Sequence, residues 1–142
     1  MTRKKLILFI VIGVLAIGAI VGGTLMFVFS REGIAVSSWS GSGIKISNAV
    51  NDTWTVTAGS LSGNSRMDIT FDEAKLAALH VKSTDDGGKV TLVRIQGDVE
   101  RATDISGEFD GAIDMTDFEP GRIRLRLEFD RAEGLSTVIS WK

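Results

Sequence analysis

Cysteine is absent from the 142-residue chain, tyrosine is absent too, and there is one histidine and one proline. Each shortage closes off some chemistry. Without cysteine there is no disulfide, no lipid-attachment cysteine and no thiolate metal site, so an exported domain built from this chain rests on its hydrophobic core. With His80 as the sole histidine, zinc hydrolase motifs that need two histidines on one helical face are excluded. A serine triad would have to recruit that same His80, and no G-x-S-x-G elbow surrounds any serine. The sequence therefore predicts no enzyme and requires no cofactor. Basic charge is also scarce where it would matter. Arg3, Lys4, Lys5 and Arg31 flank an apolar run, which leaves 12 basic against 18 acidic residues in the rest of the chain. That deficit argues against a nucleic-acid partner, which needs a basic footprint.

What the chain does have in quantity is one long apolar segment. Leu6 to Phe29 contains no charged side chain, and as a helix it would reach roughly 36 Å, enough to cross a hydrocarbon core of about 30 Å. Three basic residues precede it, and the positive-inside bias then keeps residues 1–5 cytoplasmic and puts the C-terminal part outside the cell membrane. A cleaved signal peptide is the competing reading, with a small-residue site after Gly23. Apolar character continues past that point to Phe29, longer than a signal h-region of about 7–15 residues, and this favours a retained single-pass signal-anchor. Within the run, Gly18 and Gly22 form a GxxxG, and Ala19 and Gly23 repeat the spacing. A face of that kind lets helices approach closely, so homo-oligomerisation or docking on another membrane protein is one expectation; frequent glycine in membrane helices is the plainer one.

The remainder divides by composition. Residues 30–43 include Ser37-Ser-Trp-Ser-Gly-Ser-Gly43, of which all but Trp39 are serine or glycine, and this predicts a flexible tether. From Ile44 to Lys142 the hydrophobic period is mostly two. Trp54, Val56 and Ala58 alternate with threonines, and Met67, Ile69 and Phe71 alternate with Asp68 and Thr70. Both predict half-buried strands, with a turn at 62–65 between them. Thr70 to Glu73 has capping-box spacing ahead of Ala74–Leu79, which predicts a helix of about two turns with Leu76 and Leu79 inward. A hairpin is expected from strands at 80–84 and 89–96 joined by Asp85-Asp-Gly-Gly88. Strands follow at 99–105, 109–115, 122–129 and 135–141, with Asp130–Gly134 reversing the chain between the last two. The fold expected is mainly β: a transmembrane helix, then a small antiparallel, jelly-roll-like β-sandwich with one short helix.

Asp104 to Gly121, followed by the strand Arg122–Phe129, resembles the corresponding part of small membrane-anchored β-sandwich proteins of Gram-positive bacteria, and more loosely the closing strands of jelly-roll binding modules. The likeness covers about the last forty residues. It implies a Gram-positive cell surface and carries over no activity and no site residue.

Three groups of residues invite a binding role. Arg122, Arg124 and Arg126 share one strand face at spacings of about 6.6 Å, which suits a polyanion such as a wall polymer or phospholipid surface; cross-strand pairing with Glu100, Asp110 or Asp114 is the structural alternative. Asp85-Asp86 and the run Asp104, Asp110, Asp114 and Asp117 supply hard oxygen ligands for Ca2+, though without the EF-hand order, and solvated turns explain them equally. Trp39 is placed to stack on a sugar ring or to sit at a bilayer interface, whereas Trp54 and Trp141 continue apolar strand faces and are expected in the core. His80, just after the helix, is expected to be structural. The functional expectation is a non-catalytic, membrane-anchored extracytoplasmic interaction module with a protein or wall-polymer partner. Its alternative is an accessory subunit of a membrane complex, recognised through the Gly18–Gly23 face, with the β domain as a cap.

Overall fold

The computed structural model describes residues 32–142. The apolar run Leu6–Phe29, its basic flank and the Gly18, Ala19, Gly22 and Gly23 face lie outside those residues. Among the described residues no helix is long and apolar enough to cross a membrane.

Residues 32–142 form one compact unit that is mainly antiparallel β with one short helix. In chain order the elements are β1 (Val36–Ser42), β2 (Lys45–Ile46), β3 (Thr53–Phe71), α1 (Glu73–Ala78), β4 (His80–Thr84), β5 (Gly87–Gln96), β6 (Val99–Asp104), β7 (Glu108–Ala112) and β8 (Gly121–Ser140). Two long strands organise the rest. β3 has 19 residues and β8 has 20, and they pair antiparallel from Thr53↔Ser140 to Phe71↔Gly121. A flat ladder of that length would hold its ends roughly 60 Å apart. Yet Phe71 at one end and Trp141, next to the other, have ring centroids 6.2 Å apart at an interplanar angle of 56°. The ladder therefore folds back on itself. One half carries β2 beside β3 and β4 then β7 beside β8; the other carries β1 beside β3 and β5 then β6 beside β8. The result is an arrangement consistent with a β-sandwich.

The bends are visible as changes of phase. Trp54, Val56 and Ala58 are buried, then Leu61, then Ser65, Met67, Ile69 and Phe71. Along β8 the buried set runs Ile123, Leu125, Leu127 and Phe129, then Ala132, then Leu135, Thr137 and Ile139, with Trp141 just beyond. In β3 the phase changes once, so an extra residue keeps the second half inward where strict alternation would turn it outward; in β8 it changes at Ala132 and changes back at Leu135, so both flanking runs share one phase and one face. Register shifts fall between Leu61 and Gly63 and, on the neighbouring strand, between Gly87 and Lys89, while Arg131 on β8 has φ +50°. One buried cluster gathers residues of both halves.

Several expectations are corrected here. The segments 62–65 and 130–134 do not reverse the chain; each is a bend inside one continuous strand, because glycine, serine and aspartate serve bulges as readily as turns. The expected hairpin of 80–84 with 89–96 does not form: β4 pairs with β7 and β8, and β5 pairs with β6 and β8. The stretch read as a tether contains β1, paired with β3 from Val36↔Arg66 to Ser42↔Ser60. Its serines meet serines: Ser37 Oγ lies 2.7 Å from Ser65 Oγ and Ser42 Oγ 3.0 Å from Ser60 Oγ. Helix α1 is capped by Asp72, whose Oδ1 accepts from Lys75 N at 2.8 Å, in place of the Thr70 capping box. Leu79 is fully buried just past its end, and Leu76 is half-buried. The turn at Gly97-Asp98 does join β5 to β6, and Asn51-Asp52 joins Val50 to Thr53 with φ of +51° and +55°, the mirror-image two-residue turn that suits strand twist.

Two buried donors, Trp54 Nε1 and Arg94 Nε, have no hydrogen-bond partner among the described residues. Arg94 on β5 is 5% exposed, and its Nη1 donates to Thr103 Oγ1 at 2.6 Å. Burial pushes its pKa below the ordinary arginine value, with Asp114 opposing the shift. Arg94→Met, which keeps the length and removes the orphaned donor, is expected to leave the melting temperature level or raise it by a few degrees. A fall larger than about 5 °C would show that the guanidinium is a net stabiliser.

Candidate functional site

The serine pairing that holds β1 on β3 also sets up a groove. Ala35, Ser37 and Trp39 follow one another at alternate positions, and alternation puts their side chains on one face. Across from them lie Ile44, Ile46 and Asn48, in and around β2, and these six residues line a groove of about 290 Å³. Its floor is built by half-buried Ala35, Ile44 and Ile46 packing on the core. Its wall is Trp39, which is 51% exposed and sits opposite Gly63 in the β1–β3 register. Gly63 has φ +129°, and a Cβ there would run into Ser38 O, so glycine is what lets β1 lie this close at its central residue.

Polar groups in the groove are few and oriented. Ser37 Oγ is held by Ser65 Oγ, whose residue is fully buried. Asn48 Oδ1 accepts from Ala35 N at 3.0 Å. A backbone N–H can only donate, so this bond fixes the amide orientation and leaves the Nδ2 arm as the donor on the other side. Ser47 Oγ accepts from Thr55 N at 2.9 Å and Ser47 N donates to Thr55 O at 2.9 Å, which pins the segment between Ile46 and Asn48. Among the described residues no charged side chain lines the groove. An aromatic ring, a hydroxyl and an amide around an apolar floor can stack on and hydrogen-bond an uncharged, polyhydroxylated ligand, and they offer nothing to neutralise an ionic one.

The other predicted residues are placed differently. Arg122, Arg124 and Arg126 do share the outward face of β8, but acidic partners lie among them. Asp68 on β3, its side chain 9% exposed, takes Arg124 Nε at 2.7 Å and Arg122 Nη2 at 3.2 Å. The hydrogen bond to Asp68 raises the Arg124 pKa above the ordinary arginine value. Arg126 reaches Glu128 at 2.9 Å and Glu100 at 3.3 Å. The row is thus charge-compensated; of the cross-strand partners expected, Glu100 reaches it, while Asp110 contacts His80 and Asp114 accepts from Thr116 N. Glu100 was legible as a partner; Asp68 was legible only as an outward residue, because the β3–β8 register that brings it to Arg124 is not written in the local pattern.

Of the remaining carboxylates named from sequence, Asp110 lies 2.6 Å from His80 Nε2, and Asp117 lies 2.8 Å from Arg101. Asp104 is held below the usual carboxylate range by the Ser106 hydroxyl and then the Ser106 N–H, and Asp114 by the Thr116 N–H and hydroxyl. Among the described residues no three histidine or carboxylate side chains converge on a point that would hold a metal ion. Trp54 and Trp141 are 0% and 1% exposed, as their apolar alternation predicts. A larger hollow of about 450 Å³ lies between α1 and residues 113–120; its one aromatic, Phe118, is 6% exposed, against 51% for Trp39.

A scan against protein-family models matches none, and a search of curated proteins finds no relative. Among solved structures, a carbohydrate-binding module in complex with β-1,4-galactotriose is similar with a TM-score of 0.45 and 15% identity, over 81% of this chain and 90% of that one. At that score and identity the likeness assigns this chain neither a family nor a ligand.

Proposed function

We propose that this protein is a non-catalytic, membrane-anchored module whose β domain lies outside the membrane and binds an uncharged carbohydrate polymer in the groove beside Trp39. The observation that carries the reading is a half-exposed indole on an edge strand, set over an apolar floor with an oriented hydroxyl and amide and no charge. The anchor is supported by the apolar run Leu6–Phe29. The absence of catalysis is supported by the inventory: no cysteine in the chain, and its one histidine in contact with Asp110 on the far edge from the groove.

The test is retention of the full-length protein on immobilised neutral polysaccharides (glucan, mannan, galactan), beside an anionic polymer as control. Trp39→Ala is expected to weaken binding to the retained polymer about 30-fold, corresponding to about 2 kcal/mol for a central aromatic contact. Its circular dichroism should match the parent, because Trp39 is outside the buried cluster. Unchanged retention of the variant, or retention of the parent on the anionic polymer alone, would remove this reading.

A further inference from the structure

Among the described residues the sheet has four outer strands, and three of them are protected against pairing with another chain. β6 carries Glu100, Arg101 and Asp104 in six residues, β7 carries Glu108 and Asp110 in five, and β2 is two residues long. Charge and shortness are the ordinary means by which an edge is kept from adding a strand. β1 has neither. It runs seven residues, Val-Ser-Ser-Trp-Ser-Gly-Ser, without charge or proline, and among the described residues it pairs with β3 on one side only.

We infer that β1 is a homodimerisation edge, pairing antiparallel with β1 of a second copy about a twofold axis at Trp39. Trp39 is the midpoint of the strand, and the symmetric register that follows sets Val36 against Ser42, Ser37 against Gly41, Ser38 against Ser40, and Trp39 against its own copy. No pair brings like charges together, and no pair other than the central one brings two large side chains together. The single large exposed side chain of the strand therefore lies beside its own copy rather than under it, because directly opposed residues of an antiparallel pair share one face. Self-complementarity of this kind is what a twofold interface requires. A strand of another protein would satisfy the hydrogen bonds equally, but the midpoint position of the only bulky residue is specific to a second copy. The pairing also sets two Trp39 grooves side by side on one face of an enlarged sheet, which would raise avidity for a repeating polymer. The dimer does not depend on the carbohydrate reading, since it rests on the edge and its register.

The chain has no cysteine, so introduced ones report cleanly. In full-length protein, Ser38→Cys and Ser40→Cys variants are oxidised separately and as a mixture, each also in a Gly18→Ile/Gly22→Ile background. The register predicts a disulfide-linked dimer in the mixture and at least tenfold less in either variant alone, in both backgrounds, because opposed Cα atoms at about 4.5–5.5 Å fall within disulfide reach. Equal yields in the single variants and the mixture, no crosslink in the mixture, or loss of the crosslink in the Gly18→Ile/Gly22→Ile background would each overturn the inference. Ser38→Lys/Ser40→Lys gives a second reading. Those side chains alternate away from Trp39, so the double variant should abolish the dimer by light scattering while keeping retention on the neutral polymer; a persisting dimer would also overturn it.

Discussion

Trp141→Ala is expected to destabilise the β domain by about 3–5 kcal/mol, the range for emptying a fully buried tryptophan site. For a domain of this size that is a fall in melting temperature of roughly 12–20 °C. The size of the effect comes from where the residue sits. Trp141 is 1% exposed, follows the last residue of β8, and packs at a tilt against Phe71 from the opposite end of the β3–β8 ladder. It is one of the contacts by which the folded-back ladder closes on itself, and a smaller side chain leaves a cavity lined by both halves. Trp141→Phe, which keeps an aromatic against Phe71, should recover about half of the loss. Thermal unfolding followed by far-ultraviolet circular dichroism decides it: a shift of less than about 5 °C for Trp141→Ala would mean that the two ends are held together by something else.

Gly88→Ala has the second large effect, expected at about 2–4 kcal/mol. Gly88 sits at the β5 bulge with φ +85°, and a Cβ there would run into the carbonyl of Arg131, the left-handed residue at the bend of β8. The obstacle is backbone, which cannot swing aside as a side chain would. Gly97→Ala is the control. Gly97 also has positive φ, +56°, but a Cβ there meets nothing within 4 Å, so only the conformational cost of about 1 kcal/mol is expected. If the two variants unfold at the same denaturant midpoint, the close approach of the two bends is not what shapes the ladder.

How the chain bends is also where sequence and structure part. The alternation in 53–58, 67–71, 122–129 and 135–141 was legible, and every apolar residue in those four runs except Val138 is buried. Continuity was not. Ser62-Gly-Asn-Ser65 and Asp130–Gly134 have the composition of reversals, and nothing local separates a reversal from a bulge that bends one strand; the difference lies in partners far along the chain. The same limit hid β1. Its serines look like a tether because their partners, Ser60 and Ser65, lie 18 and 28 residues away. Trp39 could be picked out as the exposed tryptophan because it continues no apolar run, while Trp54 and Trp141 do. The groove beside it could not, since Ser37, Ile46 and Asn48 meet only after β1 and β2 have both docked on β3. The arginine row was legible as a row, and its compensation by Asp68 was not.

The functional claim rests on Trp39, and its fluorescence tests that claim most directly. Trp54 and Trp141 are buried and Trp39 is 51% exposed, so iodide should quench one tryptophan in three. Trp39→Phe should abolish that response. Titration of the full-length protein with the retained neutral polysaccharide is expected to remove iodide quenching in step with binding, while an anionic polymer leaves it unchanged. Polysaccharide that binds at saturation yet leaves Trp39 fully open to iodide would contradict the account.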